Sequence, residues 1–132
     1  MKRVVYVSTA APNLSEEEVE RLAAAAVRRN ETLDLTGLLA FNGVNFMQTL
    51  EGEDAAVDAV FGSIRRDPRH DGIVALIEEP CPKRLFPDWR MRYVRAPSRP
   101  LLNGQTALHR DDLENGAQVA ELFAGFLRLG PG

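Results

Sequence analysis

Apolar and polar positions alternate in short runs along this chain, broken by two longer stretches with helical spacing. RVVYVS, residues 3–8, is β-branched and aromatic and predicts a first strand. APNLSEEEVE punctuates it and starts a helix, with Ser15 and Glu18 in capping-box spacing. The helix is expected to run to about Arg29, with Val19, Leu22, Ala23, Ala26 and Val27 as its apolar stripe. TGLLAF (36–41) predicts a second strand, Asn42-Gly43 a hairpin turn, and VNFMQTLE (44–51) the third. After Gly52 a second helix fits residues 53–66, with Val57, Val60, Phe61 and Ile64 on one face, and DPRHDG ends it. GIVALIEEP (72–80) predicts a fourth strand, and DWRMRYV (88–94) a fifth after the loop CPKRLFP.

The order βαββαβ plus one strand predicts an α+β fold of the ferredoxin-like, split βαβ kind, with both main helices on one sheet face. This core spans residues 1–95. Residues 96–132 form a C-terminal extension: a connector rich in Pro, Asn, Gly and Asp, then the short helix GAQVAELFAGFLRL. Val119, Leu122, Phe123 and Phe126 give that helix, over about 117–128, an apolar edge. Two readings fit it: it covers the open sheet face, or it contacts a partner.

Three polar residues fall where the periodicity expects core. In VNFMQTLE, alternation puts Val44, Phe46, Gln48 and Leu50 on one face. A buried glutamine amide without partners costs about 1–3 kcal/mol. Gln48 is therefore satisfied by protein groups or by a bound molecule. Tyr6 shares a face with Val4 and Ser8, and its hydroxyl, if buried, needs a partner as well. Asn30 continues the inward stripe of the first helix, or else caps its C-terminus. In RRDPRHDG, Asp67, Arg69 and His70 crowd the exit of the second helix; they form a solvated turn or grip a ligand through the guanidinium and the imidazole.

Composition narrows the classes. The 132 residues, 45% hydrophobic and 27% charged, suit a single soluble domain. A net charge of −3 argues against a general nucleic-acid or anionic-membrane binder. One cysteine excludes an intramolecular disulfide framework and a cysteine-rich zinc site. No apolar run approaches a signal-peptide core or a membrane span, so a cytoplasmic location is expected. Catalytic motifs are thin: there is no Gly-rich phosphate loop, GxSxG elbow or HExxH. Glu78 and Glu79 are adjacent and point to opposite faces, so they read as solvated charge rather than a dyad. Asn30 and Arg69 leave one enzymatic alternative, a small ferredoxin-like hydrolase of the acylphosphatase type. A structural module without a ligand is a third reading.

Taken in series, VVYVSTA, RRNETLDLTGLLAF, NFMQTLEG, RRDPRHDG and PKRLFPDWRMR resemble the BLUF family, the blue-light photoreceptor domains that use FAD. The resemblance covers about residues 1–95. It implies a flavin between the two helices, with FAD, FMN or riboflavin as the bound form. It implies a photoactive set of Tyr6, Gln48, Trp89 and Met91, the last two a last-strand pair that exchanges positions between states. The implied cofactor-binding set is Tyr6, Ser8, Arg29, Asn30, Leu39, Phe46, Gln48, Ile64, Asp67, Arg69 and His70. Many members carry two asparagines at the end of the first helix; Arg29 replaces the first here and suggests an arm toward ribityl or phosphate. The function so implied is photosensing without turnover. Light drives electron and proton transfer from the tyrosine and rearranges the glutamine hydrogen bonds, and the change is relayed through the last strand. With only about 37 residues after the core, output is expected through a separate protein partner or a homo-oligomer.

Overall fold

The computed structural model describes residues 1–95 together with 119, 121–123, 125 and 126. Seven elements follow in the order β1 (Lys2–Ala10), α1 (Glu16–Leu33), β2 (Thr36–Phe41), β3 (Asn45–Gly52), α2 (Asp54–Arg65), β4 (His70–Pro80) and β5 (Arg92–Arg95). The sheet order is β4-β1-β3-β2-β5. β3 pairs antiparallel with both β1 and β2, β1 pairs antiparallel with β4, and β5 joins β2 in parallel. The βαβ crossover from β1 to β2 is thus split by β3, the ferredoxin-like arrangement with one added edge strand.

The capping box forms as its spacing predicts. Ser15 Oγ accepts from the Glu18 amide at 3.1 Å, while Glu18 Oε1 accepts from the Ser15 amide at 3.4 Å. Three acidic residues in that first turn favour the positive end of the helix dipole. At the other end the helix outlasts the prediction by a turn. Its cap is Asp34, in the left-handed conformation at φ 54°, so Asn30 is no cap but an interior residue, buried on the inward face. The β2–β3 turn also shortens a prediction. Asn42 Oδ1 accepts from the amides of Val44 and Asn45 at 2.9 and 2.7 Å, and Gly43 supplies a φ of 95°. Val44 therefore belongs to the turn, exposed, and not to the inward face of β3.

Two apolar layers flank the sheet. One joins Val19, Ala23 and Ala26 of α1 and Val57, Val60, Phe61 and Ile64 of α2 to Val4, Tyr6, Leu39, Phe46 and Leu50 of the strands. The other gathers Val5, Leu38, Ala40 and Met47 with Leu85 and Phe86 of the β4–β5 loop and with Val119, Phe123 and Phe126. Those last three are helical, so the described part of the closing helix covers the face that α1 and α2 leave open. The expected connector lies outside the described residues.

Glu51, wholly buried, fixes the β4–β5 loop under that second face. It accepts from Arg3 Nε at 2.9 Å and from the amides of Leu85 and Phe86 at 2.8 and 2.9 Å. Arg3 also donates to Glu79 at 2.8 Å, so Glu79 is an ion-pair member rather than solvated charge; Glu78 is exposed. The fifth strand starts later than predicted. Trp89 and Met91 lie before it, in a segment held by the Gly37 amide donating to the Trp89 carbonyl at 2.9 Å.

Candidate functional site

Register brings the polar residues together. Tyr6 stands opposite Gln48, Gln48 opposite Leu39, and Leu39 opposite Tyr93, one row running across four strands on the helix-facing side. The Tyr6 hydroxyl donates to Gln48 Oε1, and Gln48 Nε2 donates to Met91 Sδ at 3.7 Å. The amide that looked misplaced in β3 thus has one protein partner at each end. Both Tyr6 and Gln48 are buried. Burial raises the Tyr6 phenol above its ordinary value of 10.0 against the pull of the Arg29 charge, so it holds its proton throughout the neutral range.

This row forms part of the wall of a cavity of about 230 Å³ between α1 and α2. Leu39 and Phe46 line it from the sheet, Ile64 from α2, and Leu22, Ala25 and Ala26 from α1. Leu22 and the two alanines are the part sequence reasoning missed. Leu22 and Ala26 read as ordinary core, and Ala25 did not register at all. The signal was the run AAAA at 23–26, where small side chains on a packing helix leave a slot between the helix and what faces it.

Charged and polar groups close the ends. Arg29 lines the cavity, one helical turn beyond Ala25 and Ala26. Its Nε donates to Asn30 Oδ1 at 3.1 Å, whereas its Nη2 is buried with no protein partner. Burial lowers the Arg29 pKa, the cost of a desolvated cation, and the Tyr6 phenol opposes it. At the other end, Arg69 clasps Asp67 with Nε 3.0 Å from both carboxylate oxygens and Nη2 2.5 Å from one. The bond from Arg69 holds the Asp67 carboxyl below its usual range.

His70 lines the same end and is pinned from both sides. Its Nε2 lies 3.1 Å from the Ile64 carbonyl, an acceptor only, so that nitrogen carries the proton. Nδ1 is then the acceptor for Ser8 Oγ at 2.6 Å. Burial depresses the imidazole pKa below 6.5, so the ring is neutral at pH 7. Ser8 and Asn30 do not line the cavity themselves. Ser8 stands behind His70, and Asn30 donates its amide to the Arg90 carbonyl. Trp89 and Met91 line a separate shallow groove with Val27 and Tyr93. Of the two, Met91 is buried and touches Gln48, while Trp89 stacks on Phe86 in the second layer.

An apolar slot with a half-buried guanidinium whose Nη2 lacks a protein partner, and a donor–acceptor amide, suits a flat, amphipathic heterocycle that bears carbonyls or an anionic arm. The residues do not suit phosphate hydrolysis, because Asn30 is spent on Arg90 and Arg69 on Asp67. Among the described residues no group of His, Cys, Asp or Glu could hold a metal ion, and no helix is long and apolar enough to cross a membrane.

Comparison with known proteins agrees with this geometry. Residues 1–92 match the family model described as sensors of blue-light using FAD. The chain is 37% identical over 83 residues to the blue light- and temperature-regulated antirepressor BluF of Escherichia coli (strain K12), covering 63% of this chain and 21% of that protein. It is 31% identical over 94 residues to the photoactivated adenylate cyclase subunit beta of Euglena longa, covering 70% of this chain but 11% of the relative. The dark-state structure of the BLUF protein BlrB superposes with a TM-score of 0.69 at 33% identity, over 92% of this chain and 82% of that one. The match to these curated relatives is thus to a small part of their length, and the acylphosphatase-type alternative finds no support. This chain belongs to the BLUF family of flavin-using blue-light sensors.

Proposed function

We propose that this protein is a photoreceptor in which Tyr6 and Gln48 convert blue-light absorption into a change of hydrogen bonding. The observation that carries the reading is the continuous Tyr6–Gln48–Met91 chain at the wall of the cavity. Leu39, Phe46 and Ile64 would hold the cofactor ring between sheet and α2, His70 would close one end, and Arg69 with Asp67 would be available to its polar groups. Ser8 and Asn30 act one layer out, orienting His70 and Arg29. Arg29 supplies a cation to the ring carbonyls or to the ribityl-phosphate arm, and FAD or FMN supplies the anionic arm that riboflavin lacks.

A bound oxidised flavin supplies blue-light absorption and a strong electron acceptor. Tyr6 would be the donor: buried and protonated, it could give an electron to the bound flavin and, through its bond to Oε1, its proton to Gln48. Gln48 offers an acceptor at Oε1 and a donor at Nε2, so a proton taken from Tyr6 at Oε1 could be matched by one passed from Nε2 to the bound flavin, which would also take the electron. Return of the electron and proton to Tyr6 would leave the amide rotated or tautomerised. Met91 Sδ then faces a different group, and the change passes to the segment before β5 and into that strand. The resulting signal is read by an effector or by a change of oligomeric state; a photoactivated cyclase subunit and a blue-light-regulated antirepressor among the relatives support a regulatory output. A cytoplasmic site of action fits that role.

The test is reconstitution with FAD. The purified protein is expected to be yellow and to show a small red shift under blue light that reverses in the dark. A protein that takes up no flavin contradicts the reading. Mass measurement in dark and light then separates an oligomer change from an effector-dependent output.

A further inference from the structure

The segment that carries Trp89 and Met91 has no regular secondary structure, yet it is tied down at every step, and the ties lead to the end of α1. Asn30 Nδ2 donates to the Arg90 carbonyl. The Arg90 guanidinium donates to Asp34 Oδ1 at 2.9 Å and to the Leu35 carbonyl at 3.2 Å. Asp34 sits in the left-handed conformation, which turns its carboxylate to where both Arg90 and Arg84 reach it. Met91, the next residue, receives Gln48 Nε2. Its thioether is a weak acceptor, so it favours the orientation that turns Nε2 toward it only while it is held within reach of the amide.

We propose that Arg90 is a positioning residue for the photochemical network: gripping the Asp34–Leu35 corner and held in turn by Asn30, it keeps Met91 against Gln48 and so sets which end of the amide faces Tyr6. The exposed Arg90–Asp34 ion pair is worth little alone. What makes the grip specific is the backbone carbonyl on one side of it and the Asn30 amide on the other. The flavin contact surface of α1 and the output segment are then one mechanical unit, because Asn30 bonds to both Arg29 and Arg90. This inference rests on the photoreceptor reading for its light-dependent part only.

The test follows the ¹³C-labelled methionine methyls of Met1, Met47 and Met91 in the flavin-free and the flavin-loaded protein. Arg90→Ala is expected to move the Met91 methyl toward its unfolded position while Met47, in the opposite layer, stays in place. Arg90→Lys should restore part of the displacement, because one ammonium replaces the fork. In the loaded protein, Arg90→Ala should cut the light-minus-dark shift by about half or more, since the dark amide then samples both orientations. Flavin affinity should change by less than about threefold, since Arg90 is outside the cavity. A Met91 methyl unmoved by Arg90→Ala overturns the proposal. If that variant does not fold, Asp34→Asn must shift the same methyl in the same direction, and no shift there overturns it equally. Failure of the wild type to bind flavin would refute the photoreceptor reading, while the flavin-free spectra would still decide the role of Arg90.

Discussion

Tyr6 and Gln48 are register partners in the β1–β3 ladder, and the hydroxyl of the first donates to the amide oxygen of the second across that pair. A hydrogen bond between facing residues on neighbouring strands is set by backbone pairing, so its geometry does not depend on a mobile loop. The coupling is measurable without light. Tyr6→Phe leaves a buried amide oxygen unpaired and should cost about 1–3 kcal/mol, whereas Tyr6→Phe combined with Gln48→Leu removes both partners and should cost less than the sum of the single changes. Urea unfolding of the four proteins gives the cycle. Each single variant should still bind flavin and lose the light-induced shift; a normal photocycle in Tyr6→Phe would contradict its role as donor.

His70 makes stability pH-dependent in a defined window. Its folded pKa is depressed below 6.5 chiefly by burial, with the Ile64 carbonyl opposing. The unfolded chain takes up a proton near pH 6.5 and the folded protein does not, so stability is full above about pH 6.5 and is lost as pH falls toward the folded value. Asp67, held below its usual 3.8 by Arg69, titrates beneath that window. His70→Gln should be less stable at pH 7.5 through loss of the Ser8 and Ile64 contacts, yet show a flatter stability profile between pH 7 and about 5. Equal slopes in the two proteins would place the transition on other groups.

Legibility of this chain in its sequence followed the range of the interactions. The β2 strand and the Ser15–Glu18 cap are local and fall where spacing puts them. Asn30 stayed open between an inward position and a cap because RRNETLD offers only Leu33, itself exposed, to mark the last turn of α1, and it is Asp34's left-handed backbone that ends the helix. Val44 misread because alternation does not register where a turn closes through Asn42. The late start of β5 is a long-range effect: Trp89 and Arg90 are held by Gly37, Asn30 and Asp34, none of them neighbours in sequence. Tyr6 and Gln48 were legible as polar residues in need of partners, with Gln48 a candidate for the Tyr6 hydroxyl, and sheet register places them opposite each other.

The alanines of α1 keep the cavity open, and enlarging one should close it. Ala25 is at the mouth, exposed, so Leu at that position has room to fold outward from the core but projects into the slot. Ala25→Leu should leave unfolding stability within about 0.5 kcal/mol, because the position is a surface helix site and both residues favour helix. Flavin affinity should fall by about tenfold or more, equivalent to ~1.4 kcal/mol. Fluorescence titration of the flavin-free protein measures it; unchanged affinity would mean the ligand does not lie against this turn.

Glu51 carries the second layer. It is fully buried and holds Arg3 and two backbone amides of the β4–β5 loop. Glu51→Ala leaves Arg3, whose side chain is 7% exposed, without its inner partner and leaves the Leu85 and Phe86 amides unsatisfied. Such a loss should destabilise by about 3–5 kcal/mol. Because Phe86 stacks on Trp89 with ring centroids 5.5 Å apart, tryptophan fluorescence should change along with stability. A variant that unfolds like the wild type would show the cluster to be dispensable.

Two glycines make opposite predictions from the same substitution. A Cβ at Gly37 would lie 1.9 Å from the Thr49 carbonyl oxygen, which is backbone and fixed by the β2–β3 ladder. The strands must separate to admit it, and the Gly37 amide would then lose its 2.9 Å bond to the Trp89 carbonyl. Gly37→Ala should therefore destabilise by about 3 kcal/mol or more, beyond the usual overpacking range, and should displace Trp89. At Gly62, inside α2, the added Cβ meets nothing closer than Arg66 Nη1 at 3.6 Å, the far end of a flexible side chain. Gly62→Ala should stabilise by roughly 0.5–1 kcal/mol through helix propensity and a less disordered unfolded state. Paired thermal denaturation separates the two cases. If Gly37→Ala melted at or above the wild-type temperature, the close approach of β2 to β3 at Thr49 would not be a constraint on the fold.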